Sequence, residues 1–176
     1  ELSSHDRPVD ILHDGFDCVI RTGALPEDGV IARPLGKLTM VNCASPHYLT
    51  RFGYPQSPDD LTSHAIVRYT PHLGVHPLGF EVASVNGVQW FKSGGMLTVN
   101  SSENYLTAGL AGLGIIQIPR IAVREALRAG RLIEVLPGYR AEPLSLSLVY
   151  PQRRELSRRV NLFMQWLAGV MKEHLD

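Results

Sequence analysis

The side chains best suited to chemistry in this chain gather at one junction, LTVNSSENYLTAGLAGLGIIQIP at residues 97–119. An alternating apolar segment runs into Asn100, Ser101, Ser102 and Glu103, a helical run ends at glycine, and a short apolar strand closes at Pro119. Amide, hydroxyl and backbone N–H donors at a helix start suit an anion, because the first turn leaves N–H groups without intrahelical partners and carries a partial positive charge. The same residues also read as a capping box, Asn100 at the cap and Glu103 at the third helical position, which needs no ligand. Both uses fit one helix end. A second donor, Arg21 with Thr22 and Gly23 behind it, ends the predicted strand FDCVIR; a guanidinium there can meet a carboxylate or form an ordinary salt bridge.

Other motifs carry less. GLAGLG at 109–114 lies at the end of a helix, whereas a dinucleotide fingerprint needs its glycines between a strand and a helix start. There is no GxSxG elbow, P-loop or HExxH, so neither a catalytic residue nor a metal or cofactor site is expected. His72 and His76 are four apart within TPHLGVHPLG, where proline and glycine forbid the helix that would aim them at one ion. Cys18 and Cys43 stand in apolar strand-like segments and read as buried thiols. The arginine pairs of QRREL and SRRV read as a solvated helix start.

The elements that must hold these residues alternate. VDILHDG has the spacing of a short helix, with Val9, Leu12 and Ile11 toward its apolar side, and FDCVIRTG that of a buried strand. LTMVNCA is a strand, SPHYLTRFG a helix capped by Ser45 with Pro46 in its first turn and closed by Gly53, and SPDDLTSH another short helix. Between 66 and 99 the period becomes two, and Asn86-Gly87 marks a hairpin within this antiparallel excursion. Residues 101–112 return to helix with Leu106, Leu110 and Leu113 on one side and Gly114 as terminator. IIQIP is a strand, RIAVREALRAGRL a helix ended by Gly130, and LIEVLP and LSLSLVYP are strands. The closing segment SRRVNLFMQWLAGVMKEHL predicts an amphipathic helix with Val160, Phe163, Leu167 and Val170 or Met171 as its stripe. Such alternation predicts α/β architecture with largely parallel sheets.

Composition sets limits on function. With 176 residues and 44% hydrophobic content the chain can bury an ordinary core as one domain or two small lobes. Its 17 basic residues balance its 17 acidic ones, so no general positive field draws it to nucleic acid. No apolar run reaches the roughly 20 residues of a membrane span, and ELSSHDRPVD has no signal-peptide pattern; the expected compartment is the cytoplasm.

Taken in order, FDCVIRTGALPEDGVIARPLGKLTMVNCASPHYL, LTVNSSENYLTAGLAGLGIIQIP, AGRLIEVLP and LVYPQRRELSRRVNLFMQWL resemble the effector-binding domain of LysR-type transcriptional regulators over nearly the whole chain. The resemblance implies a two-lobed fold like a type 2 periplasmic binding protein, with mixed, largely parallel sheets and a small effector between the lobes. Residues 1–38 with 152–176 would form lobe I, incomplete because the family's first strand and helix are absent, and 39–151 would form lobe II. The implied effector site combines Ser3 and Ser4 of an opening strand, Arg21, Thr22 and Gly23 of lobe I, and Asn100, Ser101, Ser102, Gln117 and Pro119 of lobe II. Because donors dominate that set, the expected effector is a small organic anion. The family also implies a homodimer or homotetramer, pairing through residues 8–14 and 120–129, and DNA contact only through an N-terminal helix-turn-helix outside this chain. A solute-binding protein of a transport system with the same fold is the alternative.

Overall fold

The computed structural model describes residues 1–4, 6–23, 29–72, 74, 79–152 and 156–175, the side chain of Met96 excepted. His76, Arg153 and Arg154 of the motifs above lie outside the described residues. The chain falls into two compact units, the first made of Glu1–Pro8 and Met40–Glu142, the second of Val9–Thr39 and Pro143–Asp176. Residues 143–151 thus pack with the second unit and 1–8 with the first, a division different from the lobes that the resemblance implies.

The first unit is built on the strand β3 (Met40–Ala44), every residue of which is buried. Helix α1 (Pro46–Phe52) follows at once; Ser45 caps it by accepting the Tyr48 N–H at 3.2 Å, and Gly53 closes it at a φ of 80°, which glycine adopts without strain. Asp60 caps the next turn, Pro58–Ser63, which is a 3-10 helix. β4 (Ala65–Tyr69) pairs in parallel with β7 (Gly94–Val99). Between them lies the antiparallel hairpin of β5 (Phe80–Ser84) and β6 (Gly87–Phe91). The hairpin stands as predicted, although its two-residue loop is Val85-Asn86, with Gly87 at φ 106° supplying the positive angle beside it. α2 (Ser102–Leu110), β8 (Ile116–Pro119), α3 (Arg120–Arg128) and β9 (Ile133–Glu134) complete the unit.

The mixed α/β class stands, but among the described residues parallel pairing is confined to β4 with β7 and to one bridge between Ile66 and Ile115. β8 and β9 each pair antiparallel with β3, in the order β8-β3-β9. They therefore run in the same direction, joined by α3, with an antiparallel strand inserted between them. Alternation along the chain signals the crossover but not which strand fills its middle.

Period-two alternation sends the side chains of this sheet to two cores. On one side Val41, Cys43, Ile116 and Ile118 meet Tyr105 and Ala108 of α2 and Val123 and Ala126 of α3. On the other, Ala44 and Ile115 meet Tyr48 and Leu49 of α1, Leu61, and Phe80 and Val82 of β5. The glycines of GLAGLG serve this packing. Gly112, at φ 77°, ends α2 in a Schellman turn in which Leu113 N–H donates to the Ala108 carbonyl at 3.1 Å. Gly112, not Gly114, is the terminator, which turns Leu113 outward, 54% exposed. Gly114 instead lets β8's approach run close to β4, since a Cβ there would stand 2.6 Å from the Ala65 carbonyl oxygen.

In the second unit, β1 (Val19–Thr22) and β2 (Val30–Leu38) flank β10 (Leu144–Pro151), both antiparallel, with a bulge where Leu35 is left unpaired. β1 is half-exposed rather than buried. Residues 10–14 form one turn, not a helix: Asp14 N–H reaches the Asp10 carbonyl at 2.8 Å and the Asp10 carboxylate accepts the Leu12 and His13 N–H groups. An aspartate that bonds its own following amides favours a turn over a continuing helix. Ile11 is its buried residue and Leu12 is exposed. In the closing helix α4 (Arg158–Lys172), Met164 and Ala168 are buried while Phe163 and Val170 are exposed. The buried stripe is thus rotated about one residue from the predicted one.

Candidate functional site

The start of α2 is where the donors meet. β7 brings the chain to Val99, whose carbonyl accepts the Thr70 N–H at 3.0 Å. Sheet pairing persists to that residue, so Asn100 becomes an exposed bend and the cap moves to Ser101, whose Oγ accepts the Asn104 N–H at 3.4 Å. Glu103 consequently stands second in the helix and Asn104 third. The predicted capping box is therefore not formed.

What occupies the helix end instead is a carboxylate from the beginning of the chain. Asp6 Oδ2 accepts a short hydrogen bond from the Ser102 N–H, and Asp6 Oδ1 accepts from Ser102 Oγ at 3.1 Å. One oxygen thus takes an amide of the first turn and the other takes the adjacent hydroxyl, the arrangement expected of an anion on a helix N-terminus. Tyr69 stands close enough to feel this charge: its hydroxyl pKa is raised by burial and further by Asp6. The Tyr69 and Tyr105 rings meet at 5.7 Å, which joins the strand β4 to the helix behind the carboxylate.

A polar network fixes α2 from beneath. The hydroxyl of Tyr105, buried in the helix's inner face, accepts the Gln117 N–H at 2.8 Å, and burial holds its pKa well above the ordinary tyrosine value. The Gln117 amide donates to Asn42 Oδ1 at 2.9 Å and to the Glu81 carbonyl at 2.8 Å, while its Oε1 accepts the Glu81 N–H at 3.0 Å. Asn42, wholly buried in β3, donates in turn to the carbonyls of Leu136 at 3.2 Å and Tyr139 at 2.8 Å. Leu136 has φ 48°, the one positive value outside glycine among the described residues. Sequence reasoning missed this network, although one signal was available: an asparagine inside the apolar strand MVNCA must find buried partners.

Of the ten residues predicted to bind, Ser101 and Ser102 are at the helix end and Asn100 directly precedes it. Gln117 has both amide hydrogens committed to Asn42 and Glu81, which makes it framework under the helix rather than a free donor. Pro119 ends β8 opposite Met40 and offers no N–H. Ser3 and Ser4 are exposed and lie in no strand among the described residues, whereas Asp6, just beyond them, reaches α2. Arg21, Thr22 and Gly23 belong to the second unit. There Arg21 pairs with Ser147 across β1 and β10, and Gly23, at φ 78°, donates its N–H to the Ser145 carbonyl at 3.0 Å.

Other reactive groups are turned inward. The buried Cys43 thiol has its pKa pushed up to about 12 by burial, with a contribution from Glu134, which makes it a poor nucleophile. His64, also buried, meets the Tyr48 hydroxyl at 3.0 Å from Nδ1. Among the described residues no group of three or more His, Cys, Asp or Glu side chains is placed to hold a metal ion.

Comparison with known proteins adds to this geometry. The family model described as LysR substrate binding domain matches residues 1–172. An HTH-type transcriptional regulator of Escherichia coli, YhjC, is 99% identical over the whole chain, which covers 59% of its length. An HTH-type transcriptional repressor of Pseudomonas aeruginosa is 35% identical over 98% of the chain and 55% of its own length. Among solved structures, the regulatory domain of CrgA, a LysR-type transcriptional regulator from Neisseria meningitidis, superposes with a TM-score of 0.79 at 25% identity, over 91% of this chain and 78% of that one. The chain thus spans a little over half the length of the curated relatives it matches.

Proposed function

The chain belongs to the LysR substrate-binding domain family, and from that premise we propose that it is the sensory module of a transcription regulator whose effector is a small organic anion held at the start of α2. The observation that supports this is the Asp6 carboxylate itself: a carboxylate fits this helix end, with one oxygen on the Ser102 N–H and the other on its hydroxyl. Ser101 and Ser102 are the proposed direct donors, Asn100 a donor at the rim, and Tyr105 with Gln117 and Asn42 the support that keeps the first turn in place. Arg21, Thr22 and Gly23 are proposed as effector-binding residues of the second unit.

The relatives' names carry the regulator reading over the transport alternative. In this reading the module performs no catalysis; ligand binding shifts the arrangement of an oligomer that contacts DNA through parts of the protein outside this chain. The cytoplasm is the compartment that such a role requires. No helix among the described residues is long and apolar enough to cross a membrane.

Calorimetric titration of the full-length regulator with a panel of small carboxylates tests the assignment. Ser102→Ala removes one hydroxyl donor and Arg21→Ala one guanidinium, each expected to weaken binding about tenfold, the worth of one charge-assisted hydrogen bond. Unchanged affinity in both variants, with native circular dichroism, would refute the site.

A further inference from the structure

We propose that Gln117 and Glu81 are positioning residues that clasp two strand ends of the first unit to one another and to α2, so that a displacement of α2 is felt at both. The chain passes from the second unit into the first between Thr39 and Met40, and back between Glu142 and Pro143. On the second-unit side the two segments hold each other directly, because Leu38 and Leu144 are ladder partners. On the first-unit side they part: β3 takes β8 and β9 as neighbours, and Glu142 lies in no strand. Side chains join them there. The Gln117 amide meets the Glu81 peptide group as a neighbouring strand would, donating to its carbonyl at 2.8 Å and accepting its N–H at 3.0 Å. Its other hydrogen goes to Asn42 Oδ1 at 2.9 Å, beside the first passage. The Glu81 carboxylate accepts the Glu142 N–H at 3.0 Å, at the second.

The hairpin register explains why one glutamine can do this. Ser84 and Gly87 close the two-residue loop, so Phe80, Val82 and Ser84 bond to β6 and the peptide groups of Glu81 and Ala83 face the opposite edge of β5. That edge has no ladder partner among the described residues. Its polar groups are met instead by the Gln117 side chain at Glu81 and by the Arg140 carbonyl, which takes the Ala83 N–H at 2.8 Å. α2 joins the clasp through Tyr105, whose hydroxyl accepts the Gln117 N–H at 2.8 Å. The ring of Tyr105 is packed in the core with Val41 and Ile118, and a close-packed interior passes a displacement on rather than absorbing it. If α2 shifts, either Gln117 follows or its N–H loses its acceptor, which costs free energy in a half-buried position. Gln117 in turn carries Asn42 and Glu81, and Glu81 carries Glu142. None of these contacts depends on what α2 binds.

Hydrogen exchange in the full-length regulator without ligand tests the clasp, read in peptides that report the amides of 40–42 and of 142–145. Glu81→Ala should speed exchange at 142–145 about fivefold, the worth of one partly exposed bond to a carboxylate, and leave 40–42 unchanged. Glu81→Gln keeps an acceptor oxygen and should restore the wild-type rate at 142–145, which a mere loss of charge would not allow. Tyr105→Phe keeps the ring and removes the hydroxyl, and it should speed both regions. Combined with Glu81→Ala it should still speed 40–42 but add nothing at 142–145, because the path to that segment is already cut. Effects of the two substitutions that multiply at 142–145 would mean that α2 does not reach Glu142 through Glu81, and the proposal would fall. Unchanged exchange at 142–145 in Glu81→Ala would also end it, and Glu81 belongs to neither apolar core, so that variant leaves the fold in place. Should Tyr105→Phe lose its native circular dichroism, Ser101→Ala, which loosens the first turn of α2 at its cap, takes its place with the same expected pattern and the same refuting one.

Discussion

Replacing Asn42 by alanine should loosen the first unit at residues 133–141 far more than the loss of one small side chain suggests. The amide bonds three partners in a fully buried position: it donates to the carbonyls of Leu136 and Tyr139 and accepts from Gln117. Truncation leaves each with a different deficit. The Leu136 carbonyl keeps the Tyr139 N–H at 2.9 Å, and Tyr139 is exposed enough for water to reach its carbonyl, so these two lose little more than a net hydrogen bond each. Gln117 keeps Glu81 but is left with one amide hydrogen unpaired in a half-buried setting, the larger loss at about 1–3 kcal/mol. With the small cavity added, the total is about 3 kcal/mol. The reporter is hydrogen exchange. The Val135 amide bonds the Asn42 carbonyl at 2.9 Å and the Tyr139 amide closes the turn at Leu136, so peptides spanning 133–141 should exchange on the order of a hundredfold faster in the full-length Asn42→Ala protein. Asn42→Asp should be at least as disruptive, because a carboxylate cannot donate to two carbonyls. Exchange in these peptides within threefold of the wild type would refute the assigned network.

Gly114→Ala forces a Cβ to 2.6 Å from the Ala65 carbonyl oxygen and should cost about 2 kcal/mol or more, whereas Gly138→Ala, with nothing within 4 Å, should melt within a degree or two of the wild type; equal melting temperatures would contradict the close approach of β8 and β4. Burial lowers the His64 pKa below its ordinary 6.5, outweighing the opposing charge of Asp60. The unfolded chain therefore binds the proton more readily, and the stability from neutral His64 is complete above about pH 6.5 and lost as pH falls through the lower folded value. Urea melts at pH 7.5 and 5.5 should show a drop in the wild type that His64→Gln reduces, and an identical drop in both would exclude His64 as its source. Cys43, with its pKa near 12, should resist iodoacetamide at pH 8 until urea unfolds the protein; rapid native labelling at that residue would contradict its burial.

The amino-acid sequence alone determined those features whose causes lie within a few residues. Ser45 and Pro46 start α1 and Gly53 ends it; Gly130 ends α3, where Arg131 N–H reaches the Ala126 carbonyl at 2.9 Å; Asn86-Gly87 marks the hairpin. Each rests on the backbone freedom or the local hydrogen bonding of one residue type, which no distant partner needs to supply. The order of the motifs likewise sufficed for the family, and with it the fold class.

What depended on partners far along the chain was decided only in three dimensions. β3 entered between β8 and β9, the buried stripe of α4 turned by about one residue, and the α2 cap moved from Asn100 to Ser101 because Thr70 holds Val99 in the sheet. The two contacts that shape the candidate site, Asp6 with Ser102 and Asn42 with Leu136, join residues 96 and 94 positions apart. Side-chain type announces that a buried asparagine or a helix end needs a partner. Which group satisfies the need is set by the path of the backbone between them, because closing so long a loop has nearly the same entropy for any of many pairings and only the packed sheet selects one.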